Sequence, residues 1–374
     1  MNLVIVSHTP HYLNHSDISA YAPYVKEINL WADSFDEMTV LAPLAEGNDS
    51  GINLAYNHRS IRLLPISNLH FKSPKRFLTS LFRTPIILWS IFRAFKNADH
   101  IHLRCPGNIG LLGCLVQIFF PRTKKTAKYA GNWDPKAKRQ PLSYRLQKWI
   151  LANPWLTRNM QVMVYGDWPD QSPNIKPFFT ATYSAFEARQ PKIKKNWCAP
   201  WRMVFAGTLS EGKNPFYAVN LVQRLRSIGL EVCLDIFGEG IQREKISTFI
   251  TEHELCAHII LHGNKPPQTL KQAYKEAHFL VLPSQSEGWP KVVAEGMFWG
   301  AIPLTRAISC VPWMIGNGKR GLLLQDDLDK AVQHLSEWFE RSIDLERMSQ
   351  NGMEWSRGFT TDRFAEAIKK LMTK

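Results

Sequence analysis

Apolar and polar positions alternate along this chain between short solid runs and longer stretches with helical spacing. The opening LVIVSHTP is a continuous apolar run ending in a polar loop, which predicts a strand buried on both faces. Helical spacing follows over residues 24–32, and MTVLAP predicts a second strand. HIHLRC, a helical segment over 110–120 and KTAKYAG continue the rhythm. A patternless stretch rich in proline and lysine, QPKIKKNWCAPWR at 190–202, reads as a linker. The rhythm then restarts with MVFAG, a helix over 215–228, VCLDIFG, a helix over 241–254, HIILHG, a helix over 268–277 and HFLVLP. A helix over 290–300, the strand AIPLT and a helix over 328–339 complete it.

Strands alternating with helices predict parallel sheets covered on both faces. The expected class is therefore α/β, with two Rossmann-like doubly wound domains at 1–195 and 196–357. A C-terminal helix at 358–374 is expected to pack back on the first. In open sheets of this kind ligands sit beyond the carboxyl ends of the strands, so a site is expected in a cleft where the two domains face each other.

Composition narrows the class without changing it. With 374 residues, 45% of them apolar and 21% charged, the chain suits two folded domains rather than a disordered segment. Its six cysteines include no C-x-x-C pair, which argues against a disulfide framework or a zinc module and for a reducing compartment. The longest apolar runs, at 85–90 and 109–120, fall short of the roughly 18 residues a membrane span needs. The start carries no basic, then apolar, leader pattern. Together these predict a cytoplasmic protein with peripheral membrane contact allowed.

Charge changes the picture more. The net charge is +14, yet residues 50–166 alone hold 19 Lys or Arg against Asp99 and Asp134, a local net of +17. Such asymmetry predicts a polyanionic partner for that lobe: nucleic acid, an anionic membrane, or a phosphorylated or acidic substrate. Between His70 and Asn97 six basic residues interleave with Phe, Trp and Leu, as in helices that lie in a membrane interface.

Four short motifs bear on chemistry. Gly238-Glu-Gly240 suggests a dinucleotide fingerprint, but Arg243 replaces its third glycine. The stretch from Gly207 to Lys213 matches a Walker A loop until Asn214 stands where a hydroxyl would hold Mg²⁺. What survives is a glycine-bearing turn, a lysine and a helix N-terminus, together a place for phosphate. Asp327-Leu-Asp329 resembles a metal motif but sits at a helix start, where aspartates cap free N–H groups. The fourth motif, PSQSEGWPKVVAEG at 283–296, delivers a strand to a polar loop and then to a helix opening near Pro290. Its carboxylates, Glu287 and Glu295, repel phosphate but accept sugar hydroxyls on either side of one.

The pair Glu287 and Glu295, set in LPSQSEGWPKVVAEGMFWGAIPL, stands in an ordered series with FAGTLSEGKNP, DIFGEG, LHGN and GKRGLLL. Over roughly residues 203–324 this resembles the retaining family-4 glycosyltransferases (glycosyltransferase group 1), which have the GT-B fold, and implies a role in bacterial surface-glycan, lipid-linked oligosaccharide or similar glycan biosynthesis. The resemblance implies transfer of a sugar, with retention, from a UDP- or GDP-sugar to a glycan or a lipid-diphosphate-linked acceptor. No metal or other cofactor is expected, and no nucleic acid. It further implies that Lys213, beside Gly207 and Thr208, neutralises the donor diphosphate. Glu287 would hold the donor sugar, with the amides of Gly288 and Trp289 near the phosphates. Glu295 would hold the ribose, and His262, Gly263 and Asn264 would lie against the base. Glu287 and Lys213 are the expected catalytic pair.

Three departures qualify this. Thr208 stands where the family usually has arginine, with Lys291 a candidate to supply the missing charge. The first loop, Ser7-His8-Thr9-Pro10-His11, lacks the usual glycine pair. Asn132 and Asp134 replace the histidine usual after the strand KTAKYAG. The acceptor-side candidates are therefore His8, His11, Arg104, Asn132 and Asp134. The competing reading is a nucleic-acid- or polyanion-binding protein using region 50–166, which leaves the paired glutamates unexplained.

Overall fold

The computed structural model of the chain describes residues 1–14, 17–45, 53–69, 74–137 and 140–373, with backbone alone at 74–78 and 373. Residues 70–73 of the basic stretch, and Lys138 and Arg139 of the basic lobe, lie outside these. The chain forms two compact units: Met1–Phe178 with Ala365–Lys374, and Phe179–Phe364.

The first unit is built from strands β1 (Asn2–Val6), β2 (His11–Asn14), β3 (Asp17–Tyr21), β4 (Glu37–Ala42), β5 (Asn53–Ala55), β6 (Ile61–Pro65), β7 (His100–Cys105), β8 (Lys124–Tyr129), β9 (Met160–Tyr165) and β10 (Ile175–Phe178). Seven of these pair in parallel in the order β10-β9-β8-β7-β1-β4-β6, while β2, β3 and β5 form a small antiparallel sheet. The solid apolar runs explain the large sheet: Leu3, Val4, Ile5 and Val6 are all buried, because helices cover both faces. Order runs outward from β1 to β4 and β6, then returns to β7 on its other flank, so the switch point lies between β1 and β7.

The second unit carries β11 (Trp201–Ala206), β12 (Val232–Phe237), β13 (Ile259–Gly263), β14 (Phe279–Leu282), β15 (Ile302–Thr305) and β16 (Leu322–Leu323), all parallel, in the order β13-β12-β11-β14-β15-β16. Its switch point lies between β11 and β14, the two strands that deliver the phosphate-like loop and the glutamate loop. The α/β class with two doubly wound sheets is thus the observed one.

Local chemistry sets the helix starts. Asp327 accepts from the amides of Asp329 and Lys330 at 3.0 and 3.2 Å, so the D-x-D motif caps helix Leu328–Phe339, as its position predicts. Ser184 and Glu187 form a reciprocal capping box. Within the patternless stretch, Lys195 turns inward, and its ammonium donates to the carbonyls of Tyr274, Lys275 and Ala277 at the C-terminus of helix Pro267–Glu276. Cations suit that end of a helix. Helix Leu142–Leu151 has no counterpart in the apolar rhythm, because much of its apolar surface faces outward.

Candidate functional site

At the switch point of the second unit, the chain leaves β11 through Gly207 and turns through Glu211 and Gly212 to Asn214. Asn214 adopts the left-handed conformation (φ 51°) and Pro215 opens helix Pro215–Ser227. Asparagine tolerates that conformation better than most residues, which gives a local reason for it where a Walker loop has a hydroxyl. The neighbouring turn is held backbone on backbone. A side chain at Gly238 would sit 2.0 Å from the Gly207 carbonyl oxygen, and one at Gly240 would sit 2.5 Å from that of Leu209. Gly238-Glu-Gly240 is therefore a packing device that lets two loops touch, not a dinucleotide fingerprint.

The second loop leaves β14 at Leu282 and is tied to the first by Gln285 N–H, which donates to the Gly212 carbonyl at 2.8 Å. This brings Lys213 Nζ to 2.5 Å from Glu287 Oε1, with the glutamate the more buried partner. The Gly288 carbonyl accepts from Ser309 Oγ at 3.3 Å and lies 3.1 Å from Cys310 Sγ, which fixes the loop from behind. Trp289 turns its indole into a cluster with Trp313, Trp355 and Phe359. Helices Pro215–Ser227 and Lys291–Phe298 both start here without an acidic residue in the first turn, so their free N–H ends face an uncancelled region suited to an anion.

Glu295 lies on helix Lys291–Phe298, in a crevice lined by Thr180, Thr182, Tyr183 and Lys291. Thr182 Oγ1 donates to its Oε1 at 2.6 Å and Tyr274 OH to its Oε2 at 3.3 Å. Burial raises its carboxyl above the usual carboxylate range, against the pull of Thr182, Lys291 and Tyr274. A carboxylate offers about four acceptor positions, so two bonded hydroxyls orient Glu295 and leave capacity for two more. Neither hydroxyl carries a sequence signal, since they lie 113 and 21 residues from Glu295 along the chain.

His262 points to the face of the sheet. Its Nε2 is 2.6 Å from Asp235 Oδ1, and its ring stacks on Phe237 at 4.5 Å, in a cavity of about 200 Å³ bounded by Arg202 and helix Pro267–Glu276. The Gly263 carbonyl accepts from Gly238 N–H at 2.9 Å. So the turn 262–264 abuts the glycine turn through its backbone, while the His262 side chain faces elsewhere.

In the first unit, His8 follows β1 and Arg104 belongs to β7, one on each side of the switch point. Burial and the Arg104 charge hold His8 below its ordinary value. Arg104 Nη1 is 2.7 Å from Glu27 Oε1, and Lys128 Nζ is 2.8 Å from Glu27 Oε2, a buried carboxylate between two cations. His11 is fully buried. It bridges the Thr9 carbonyl and Tyr56 OH at 2.8 and 2.7 Å, and burial pushes it down to about 4. Asn132 and Asp134 shape the turn after β8: Asn132 Oδ1 accepts from Asp134 N–H, and Asp134 Oδ1 from Lys136 N–H. Among the described residues no three His, Cys, Asp or Glu side chains gather as a metal site.

Residues 189–355 match the family model for glycosyl transferases group 1. The chain is 26% identical over 137 residues to an uncharacterized glycosyltransferase of Methanocaldococcus jannaschii, covering 36% of this chain and 39% of that protein. It is 26% identical over 146 residues to a putative colanic acid biosynthesis glycosyltransferase, WcaL, of Salmonella typhimurium, covering 37% and 36%. The matches thus span under two fifths of these relatives' own length. The fold is similar to that of Anabaena HepE, solved in complex with UDP and glucose, at a TM-score of 0.69 and 11% identity, covering 100% of this chain and 99% of that one. This is the GT-B fold.

Proposed function

We propose, from the match of residues 189–355 to the family model for glycosyl transferases group 1, that this chain is a glycosyltransferase using a nucleoside-diphosphate sugar. The observation that carries the reading is the meeting of two loops at one switch point. Gln285 donating to Gly212 sets Lys213 against Glu287, between two helix N-termini free of first-turn acids. A cation, two dipole ends and a carboxylate suit a diphosphate flanked by a sugar. Lys213 then faces the diphosphate, the amides after Glu287 assist it, Glu287 accepts from the donor sugar, and Glu295 accepts from the ribose. Lys291, beside Glu295, supplies part of the charge that Thr208 does not.

In this reading transfer is retaining and front-face. The acceptor oxygen bonds to the anomeric carbon as its bond to the diphosphate oxygen breaks, and the acceptor proton passes to the departing diphosphate. The protein positions the reactants and stabilises charge on the leaving group. One well-placed lysine lowers such a barrier by about 3 kcal/mol, so losing Lys213 would slow turnover roughly a hundredfold. His8 and Arg104, at the first unit's switch point, are the residues assigned to a glycan or lipid-diphosphate-linked acceptor at a membrane surface.

The test is calorimetric titration with UDP, GDP, ADP and CMP in EDTA, on the wild type and Glu295→Ala. One diphosphate binding the wild type at least tenfold more tightly than the variant supports the donor site and names its base. No binding by any of them, with or without added Mg²⁺, sinks it. The anomeric configuration of the product, read by NMR, decides retention.

A further inference from the structure

The helices covering one face of the first unit's sheet carry apolar stripes on both sides. In helix Pro74–Phe95 the inward positions Ile87, Ile91 and Phe95 are buried, as an amphipathic helix requires. On the opposite side Phe82, Ile86 and Trp89, spaced i, i+4, i+7, are 77%, 67% and 63% exposed. Helix Leu142–Leu151 repeats the pattern: Gln147 and Leu151 face inward, while Leu142, Leu146 and Trp149 stand outward at the same spacing. Trp155, just beyond it, is 78% exposed.

These stripes share one surface. The connections β6 to β7, β7 to β8 and β8 to β9 all step the same way across the sheet, so right-handed crossovers place their helices on one face. Helix Asn108–Val116 packs between the other two, and Phe119, in the turn that follows it, is also exposed. No described helix is long and apolar enough to cross a membrane.

Charge identifies the partner. Residues 74–95, 108–119 and 142–158 contain no Asp or Glu. Arg83, Arg93, Arg145 and Arg158 are exposed among the apolar side chains, and the Arg158 guanidinium lies 5.6 Å over the Trp155 ring. A second copy of the chain meeting this face symmetrically would set cation against cation. A nucleic acid would find cations and rings, but Leu142, Leu146 and Ile86 offer no face for stacking. Outward aliphatics, tryptophans and arginines without acids suit the interface of an anionic bilayer, where aromatic rings sit at headgroup level and basic residues meet anionic lipid.

The geometry points to this three-helix face as a docking surface for an anionic lipid bilayer, with helix Leu142–Leu151 and Trp155 as a second anchor beside helix Pro74–Phe95. The inference rests on the glycosyltransferase reading for its purpose, a lipid-carried acceptor, but its test does not use activity.

The experiment is flotation of the full chain with vesicles of phosphatidylcholine alone, or with about one third phosphatidylglycerol, at low and high salt. The expected result is binding to the anionic vesicles only, weakened about tenfold at high salt, with a blue shift of tryptophan emission. The double variants Phe82→Ser with Trp89→Ser, and Leu146→Ser with Trp149→Ser, should each cut binding about tenfold. All four side chains are exposed, so the melting temperature should hold, and a melt on the same samples checks this. Equal binding to both vesicle types, or none, overturns the proposal. So does wild-type binding in the Leu146/Trp149 variant, or a preference for single-stranded oligonucleotide over vesicles. UDP and GDP titrations on the same protein keep failure of docking distinct from failure of the donor site.

Discussion

Thr182 Oγ1 donates to Glu295 Oε1 at 2.6 Å while Tyr274 OH reaches Oε2 at 3.3 Å, so one carboxylate is held by hydroxyls from two separate elements. The Tyr274 backbone is fixed in turn by Lys195, whose ammonium accounts for three carbonyls at the end of that tyrosine's helix. Orientation of Glu295 therefore depends on residues that need not touch a ligand.

Loosening that hold should weaken nucleotide binding without unfolding the unit. Thr182→Val and Tyr274→Phe are each expected to cost about 1 kcal/mol, roughly fivefold in nucleoside-diphosphate affinity. The informative comparison is UDP or GDP against its 2′,3′-dideoxy analogue, measured calorimetrically. The preference for the ribose form should shrink in both variants, and an unchanged preference would remove the positioning role.

Lys213 and Glu287 should behave as one unit. Lys213→Met leaves a largely buried carboxylate without its cation, so it should destabilise by about 2 kcal/mol as well as slow turnover. Adding Glu287→Gln should restore most of the melting temperature and none of the activity. A double-mutant cycle on both quantities reads this directly, and additive stability losses would contradict the pairing.

Acid should destabilise the first unit before the second. His11 and His100 are held down to about 4 and His102 to about 3, each chiefly by burial, against about 6.5 in the unfolded chain. Below pH 6.5 the unfolded state takes up protons that these rings refuse, so stability falls as pH drops from about 6.5 to 4. Each ring accounts for a few kcal/mol across that window, to order of magnitude. Thermal melts at stepped pH should show the slope, and His102→Leu should flatten it.

Glu27 should prove the least replaceable charge in the first unit. Glu27→Gln would leave Arg104 and Lys128 facing each other out of water, a loss of about 3–5 kcal/mol. Lys128→Met leaves the Arg104–Glu27 pair intact and should cost less. Denaturant titration of both variants gives the order, and a milder effect for the glutamine would refute it.

The strands were legible in the sequence because parallel sheets covered on both faces demand solid apolar runs, which LVIV, HIHL and FLVL supply. The loops with Lys213 and Glu287 were legible because their glycines, proline and charges sit at fixed offsets from those runs. Residues joined only by the fold were not. Thr182 and Tyr274 look ordinary until the chain brings them to Glu295. His11 sits in a polar-looking loop, yet it is buried against Tyr24 and Tyr56. Helix Leu142–Leu151 has a faint core-facing signal because its larger apolar stripe looks outward.

The two loops that touch here, the one after β11 and the glycine turn after β12, differ in how much variation they accept. At Gly238 and Gly240 any side chain would strike backbone, whereas around Gly212, next to Lys213, there is open space. Of Gly212, Gly238 and Gly240, a library that diversifies this region should therefore find its tolerated changes at Gly212, in the lysine loop. Gly212 is the position where a side chain can be added beside Lys213 without prising the loops apart.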